Sequence, residues 1–496
     1  MVRTSYMPLS QRESRRDDDN TSFAHPHHED LSTSSLHFLL RGLRTTATTL
    51  VPSFLHRSPR NPRPVDVETS RVPSNSLSTD WLDGLRGVAS FIVFLFHYCI
   101  WSHPSIRWGY GADGVDTGFL QLPIICLVTH GRAMVAIFFV ISGYALSFST
   151  LQSIQKKDHD KLFTRLSSSV FRRAIRLYLP ALASAFLHYM AQRIGIKGRK
   201  DRVSTFRSDT TDFLVEIQSR MSPFSWSAQP IDAFYNQHLW TIPVEFRSSI
   251  ILFVTVLGLS RTRCSVRMLT IIGLFFYSMI EHRWDTALFM AGIVLAEANL
   301  LQEQYVKILS SMDDDIEKGR VESAVSSTMR KSIQVTVNAG LVSLLIGGCY
   351  LASFPTKGSD TSPWFMWMHR LGSSDPEFNS RLWTSLGAVM ITTSVSFMPR
   401  CQAVFETDLI CYLGRISYSL YLVHGLLNKV LGKPIVKWMW SMCGKEDWIR
   451  YEGAWLLGTI IYIPIVIWVA DIFWRVVDTN TVKMAKNIER RCCVSS

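Results

Sequence analysis

The stretch Trp81-Leu-Asp83-Gly-Leu-Arg86-Gly-Val-Ala-Ser-Phe-Ile-Val-Phe-Leu-Phe-His97 decides what kind of molecule this chain is. Its second half is almost wholly apolar, yet the run opens on Asp83 and Arg86 and closes on a histidine. Such a run suits a membrane-crossing helix, where ionisable groups are costly and therefore point to function. Arg86 and His97 are eleven residues apart. At about 100° per residue that is three turns plus about 20°, so both lie on one face, with His97 about 16 Å further along. The expectation is Arg86 at one membrane face and His97 at mid-bilayer depth. A long anionic ligand could pass the arginine and present its reactive end to the imidazole.

The rest of the chain agrees with a membrane bundle. Among 496 residues, 19% are charged, below the roughly 25% usual in soluble domains, while 47% are hydrophobic. Mean hydropathy is +0.13 although the first 80 residues are polar. These figures argue against a soluble enzyme, a secreted disulfide scaffold and a disordered protein. The net charge of +12 comes with no helix-turn-helix, zinc spacing or RNA-binding signature, so it is read as basic flanks of membrane spans and no nucleic-acid partner is expected. The nine cysteines form no CxxC, and neither a metal site nor a disulfide framework is expected. Cys492 and Cys493 follow Arg490 and Arg491, where palmitoylation and free thiols are both open.

Three regions follow from composition. Residues 1–80 read as a disordered polar tail with no signal-peptide core, carrying a possible interfacial amphipathic helix at 36–55. Residues 81–475 hold apolar segments near 84–101, 133–150, 177–192, 240–259, 267–281, 285–300, 333–354, 382–398, 409–428 and 453–474. The fold class expected is therefore all-α, a bundle of about ten transmembrane helices. Residues 476–496 read as a short basic tail. The Arg-rich 151–176 loop and the charges of both tails place both termini in the cytoplasm, with the basic 193–207 segment dissenting.

Four further clusters put polar groups where a bilayer disfavours them. Ser142-Gly143 interrupts the second span, a small pair suited to close helix packing. Arg172, Arg173 and Arg176 share one sector of a helix and could grip phosphates or lipid head groups. In His238-Leu-Trp240-Thr-Ile-Pro243-Val-Glu245, the proline should kink the start of the span beside a carboxylate. Ser417, Tyr421 and His424 fall on one helical face, as a pocket lining or as a polar seam against a neighbour.

In this order the segments resemble the acyltransferase-3 family of integral-membrane acyltransferases, and its fungal members in particular. The resemblance rests on Leu82-Asp83-Gly84-Leu85-Arg86-Gly87 with His97, Phe138-Phe-Val-Ile-Ser-Gly-Tyr144, the Arg172–Pro180 segment, Leu239–Glu245 and Ile416–His424, over residues 81–475. The family's signature, an arginine, ten intervening residues and a histidine in the first span, is met by Arg86 and His97. The resemblance implies an acyl-CoA donor, usually acetyl-CoA, and a hydroxyl acceptor, with no permanently bound cofactor or metal. His97, Arg86 and Glu245 are the expected catalytic residues. Arg86, Arg172, Arg173 and Arg176 are the expected acyl-CoA contacts, and Ser142, Trp240, Ser417, Tyr421 and His424 the pocket lining. His97 would take the acceptor's proton or carry the acyl group itself. The 193–238 segment has no motif, and acceptor binding is its suggested role. An H-x4-D pattern at His25–Asp30 lies in the polar tail and is discounted; G-x-S-x-G and Walker loops are missing. A transporter or channel using the same polar residues, or a non-catalytic scaffold, remains the competing class.

Overall fold

The computed structural model describes residues 51–53, 79–114, 117–195, 206–224, 236–317 and 327–493. Apart from residues 51–53, the proposed amphipathic segment at 36–55 lies outside them. Each of the ten expected spans is a helix: α1 Asp80–Cys99, α2 Gly131–Gln155, α3 His159–Arg193, α5 Thr241–Gly258, α6 Cys264–Ile280, α7 Trp284–Glu317, α8 Ser327–Ala352, α10 Pro376–Phe397, α12 Asp408–Leu427 and α14 Trp448–Phe473. Shorter helices lie between them and after them: α4 Phe206–Arg220, α9 Met366–Leu371, α11 Pro399–Phe405, α13 Lys433–Cys443 and α15 Thr479–Cys492. Among the described residues there is no strand, only a single bridge between Trp108 and Lys357.

Among the described residues, six helices combine the length and hydropathy needed to cross a bilayer; they begin at Asp80, Gly131, Gln237, Trp284, Ser332 and Trp448. The apolar α6 has 17 residues, and α3, α10 and α12 carry more polar groups. Of these, α6 packs on α7 and buries Arg267, Ile271, Ser278 and Met279 while most of its apolar side chains face outward. Contacts at the helix ends obey the alternation that ten crossings require. The loop after α1 meets the loop after α8: Ser362 Oγ donates to the Tyr110 carbonyl (2.7 Å), and the Ile124 amide donates to Ser353 Oγ (2.8 Å). On the same side, Arg132 at the start of α2 pairs with Glu377 at the start of α10 (2.6 Å), and His103 meets Glu452 at the start of α14 (3.1 Å). Trp364, Trp367, Trp438 and Trp448 are exposed at this end, where a belt of indoles suits the membrane interface.

Backbone-level packing needs glycine where α2 crosses α7 and where α1 crosses α12. A methyl group on Gly143 would strike the Phe289 carbonyl, and one on Gly292 the Val140 carbonyl, so α2 and α7 touch through these two residues. The same holds for Gly87 of α1 and Gly414 of α12. Helix α7 lies inside the bundle, with 72% of its apolar window buried, whereas α8, at 11%, turns its apolar side chains outward to lipid.

One detail differs from the sequence reading. Pro243 falls in the first turn of α5, where a backbone N–H has no intrahelical partner to lose, so it starts the helix without breaking its ladder. Within the short basic tail after residue 475, residues 479–492 form α15, which lies along α3, and Arg172 pairs with Glu489 (3.2 Å). Within the 193–238 segment, α4 folds back on the end of α3 through an Arg193–Asp209 ion pair (2.5 Å); residues 196–205 and 225–235 lie outside the described residues.

Candidate active site

The site grows from the contact between α1 and α12, which run parallel. Arg86 Nε donates to Ser417 Oγ (3.0 Å) and its Nη2 to the Gly414 carbonyl (3.2 Å), while Ser90 Oγ donates to the Ser417 carbonyl (2.7 Å). With Gly87 against Gly414, equal rise along two parallel helices brings the residues ten further on to one level. Those residues are His97 and His424, whose ring centroids lie 5.3 Å apart with planes inclined by 26°.

A third imidazole arrives from another part of the chain. His238 sits in a short 3-10 turn, Gln237–Trp240, just before α5, with its centroid 4.2 Å from His97 and 4.4 Å from His424. Several polar contacts hold that turn in place. The Asn236 side chain accepts from the His238 amide (3.1 Å) and donates to Ser184 Oγ (3.2 Å), and Ser184 Oγ donates to the Leu422 carbonyl (2.7 Å). Tyr421 donates its phenolic proton to the His238 carbonyl (2.6 Å). Gly425 leaves the room His238 occupies, since a methyl group there would lie 2.6 Å from Cδ2 and 2.8 Å from Nε2 of that ring.

The protons of His424 follow from its surroundings. Its Nδ1 lies 3.2 Å from the Leu420 carbonyl, which can only accept, so Nδ1 carries the hydrogen. Nε2 then holds a lone pair; it is buried and has no hydrogen-bond partner among the described residues. A polar atom buried in this way is costly unless something completes it. Imidazoles so placed can take a proton from a hydroxyl or attack a thioester carbonyl.

His97 lies two residues before the end of α1, beside the turn that starts α5 and level with His424, from which α12 runs on through a π turn (Asn428–Gly432) into α13. Arg86 is near the other end of α1. Arg172, Arg173 and Arg86 all lie close enough to Arg176 to act on its charge, as does Asp478, so the structure gathers these arginines into one region. They do not form a free fork, however. Arg172 is tied to Glu489 and Arg173 to Glu245 (2.7 Å).

The remaining expected site residues separate into two groups. Ser417 and Tyr421 belong to the α12 face just described. Ser142 and Glu245 belong to a different junction: Glu245 accepts from Arg173 and from Ser142 Oγ (3.3 Å), tying α2, α3 and α5 together. Trp240 packs against Trp284, with the Arg381 guanidinium 5.5 Å above its ring. Glu245 and Trp240 are thus not among the three side chains that converge. The residue that sequence reasoning passed over is His238, quoted in its motif but given no role. Its signal was an imidazole abutting an apolar span, two residues before Trp240.

Comparison with known proteins gives a consistent result. The acyltransferase domain family matches residues 79–475. The chain is 27% identical over 453 residues to O-acetyltransferase PaAT-1 of Phomopsis amygdali, covering 86% of this chain and 87% of that one. It is 26% identical over 485 residues to acyltransferase clz18 of Cochliobolus lunatus (85% and 98% covered). It is 28% identical over 480 residues to acyltransferase R4 of a Phoma species (84% and 97%). No solved structure matches.

Proposed function

This chain belongs to the acyltransferase-3 family, and from that premise we propose that it is an integral-membrane O-acyltransferase that moves an acyl group, acetyl first among candidates, from acyl-CoA to a hydroxyl of a sugar, lipid or secondary metabolite. The observation that carries this reading is the pairing of Arg86 with His97 along α1, matched on α12 by Ser417 and His424. It supplies a cationic site at one end and unprotonated imidazole nitrogen at the other, about 16 Å apart along the helix.

The CoA phosphates bind at the arginine region. Arg86, Arg172, Arg173 and Arg176 are the contacts, each of the first three exchanging a carboxylate partner (Asp83, Glu489 and Glu245) for phosphate oxygen. The pantetheine arm runs from the arginine region in the direction of α1, and its thioester reaches His97. There His97 takes the proton of the acceptor hydroxyl as its oxygen attacks the thioester carbonyl, the C–S bond breaks, and the proton passes to the departing sulfur so that CoA leaves as the thiol. Acyl-CoA is cytosolic, so the Arg86 end and both termini face the cytoplasm, and the histidines open toward the opposite side. The name of the Phomopsis relative, an O-acetyltransferase, supports acetyl and oxygen as the group and the acceptor atom.

The test compares metabolite extracts of a strain that carries the protein with those of its deletion. The proposal expects a compound that loses the mass of one acyl group on deletion and regains it on complementation. Identical extracts with the protein demonstrably expressed would count against it.

A further inference from the structure

We propose that His97, His238 and His424 together bind one divalent transition-metal ion, zinc foremost, through one ring nitrogen each. Sequence spacing gave no hint of this, because the three residues come from α1, the turn before α5, and α12. The ion's binding stands on geometry alone; only its use in catalysis rests on the acyl-transfer reading above.

Four observations carry the inference. First, one nitrogen from each ring can be chosen so that all three lie within 4.8 Å of one another. A single point then lies within about 2.8 Å of every one, so movements of about 0.7 Å bring them to the ~2.1 Å of a zinc–imidazole bond. Imidazoles reach that by small rotations. Second, the Nε2 of His424 is fully buried, bears the lone pair a metal needs and has no partner among the described residues. Third, the surroundings resemble those that orient metal-binding histidines: the far nitrogen of His424 donates to the Leu420 carbonyl, a contact that fixes tautomer and ring direction. Fourth, the turn bearing His238 is positioned by Asn236, by the Tyr421 hydroxyl and by the gap at Gly425, which together press that ring into the cluster.

The donor set defines the class of ion. Three neutral imidazoles suit zinc, copper, iron or nickel, whereas calcium and magnesium prefer oxygen. Three histidines with a fourth position open is the arrangement of catalytic zinc, and structural sites usually supply four ligands. The cluster contains no carboxylate or thiolate, so a bound ion keeps its double charge and favours an oxygen that is gaining negative charge. At this site that oxygen belongs to the acceptor hydroxyl or to the thioester carbonyl.

The experiment uses full-length protein, purified in detergent through a tag without histidine. It is loaded with zinc, freed of excess, and its metal content measured by mass spectrometry; a second sample is loaded with cobalt and read by visible absorption. The expected result is about one zinc per chain and the intense d–d band of tetrahedral cobalt. Both should fall at least tenfold in His424→Ala and in His238→Ala, and both should survive in His369→Ala, whose ring lies outside the cluster against Ser359. Wild-type protein that holds no zinc after loading and gives no cobalt band overturns the inference, and needs no variant to do so. Full zinc in the double variant His238→Ala/His424→Ala overturns it too, since the ion then sits elsewhere. In either case, acyl transfer that still depends on His97 leaves the proposed function standing on the imidazoles alone.

Discussion

Gly87 of α1 lies so close to Gly414 of α12 that a methyl group on Gly87 would meet the Gly414 backbone nitrogen. This contact sets the register of two parallel helices, and through it the level at which His97 meets His424. Small residues at a crossing let backbones approach where lipid offers no hydrophobic drive for association. Gly87→Leu should therefore abolish acyl transfer and lower the thermal midpoint in detergent. Gly273→Leu on α6, where nothing lies within 4 Å, should do neither. Equal tolerance at the two positions would remove the helix register from the account.

Donor recognition gives a second prediction. Arg86→Ala should raise KM for acyl-CoA by roughly ten- to a hundredfold, as expected for loss of one charge-assisted contact of about 1.5–3 kcal/mol. KM for the acceptor should change little. Arg172→Ala should in addition loosen the docking of α15, since Arg172 pairs with Glu489. With wild-type protein, dephospho-CoA esters should be poorer donors than CoA esters; equal use of the two would exclude recognition of the 3′-phosphate.

Arg267 and Glu297 form an ion pair between α6 and α7, 2.5 Å apart with side chains 3% and 1% exposed. Removing one member strands the other charge, at a cost of about 3–5 kcal/mol. Glu297→Ala should lower the midpoint of thermal unfolding markedly while preserving kcat at low temperature, because the pair is not part of the imidazole cluster. A loss of kcat with unchanged melting would instead place Glu297 in the chemistry.

Orientation is open to direct chemical labelling. Asp113 and Cys443 are exposed on the side of the bundle where α1 ends. In sealed vesicles of known sidedness, an impermeant maleimide should reach Cys443 and an Asp113→Cys variant from the lumenal or external side only. Labelling of both from the cytosolic side would invert the topology and close the proposed donor route past Arg86.

The architecture was readable because its signals are local. Each of the ten helices carries its own apolar run, and even the polar α12 shows its Ser417–Tyr421–His424 face at helical spacing. Arg86 and His97 were readable for the same reason, since eleven residues of one helix suffice to align them. What could not be read was convergence. His238 is separated from its two partners by well over a hundred residues in each direction, and no spacing rule joins them. Likewise the arginines at 172, 173 and 176 share a helix face, but only the fold shows that Glu489 and Glu245 claim two of them.

The central claim is that His97 performs acyl transfer. It is tested most directly with purified protein in lipid nanodiscs, radiolabelled acetyl-CoA, and an extract of the deletion strain as the source of acceptor. Label moving into the extract is then compared for wild type and His97→Ala at matched folded protein. The account predicts transfer by the wild type and a loss of about 10²–10⁴ in the variant. Transfer by His97→Ala at a near-normal rate would contradict it.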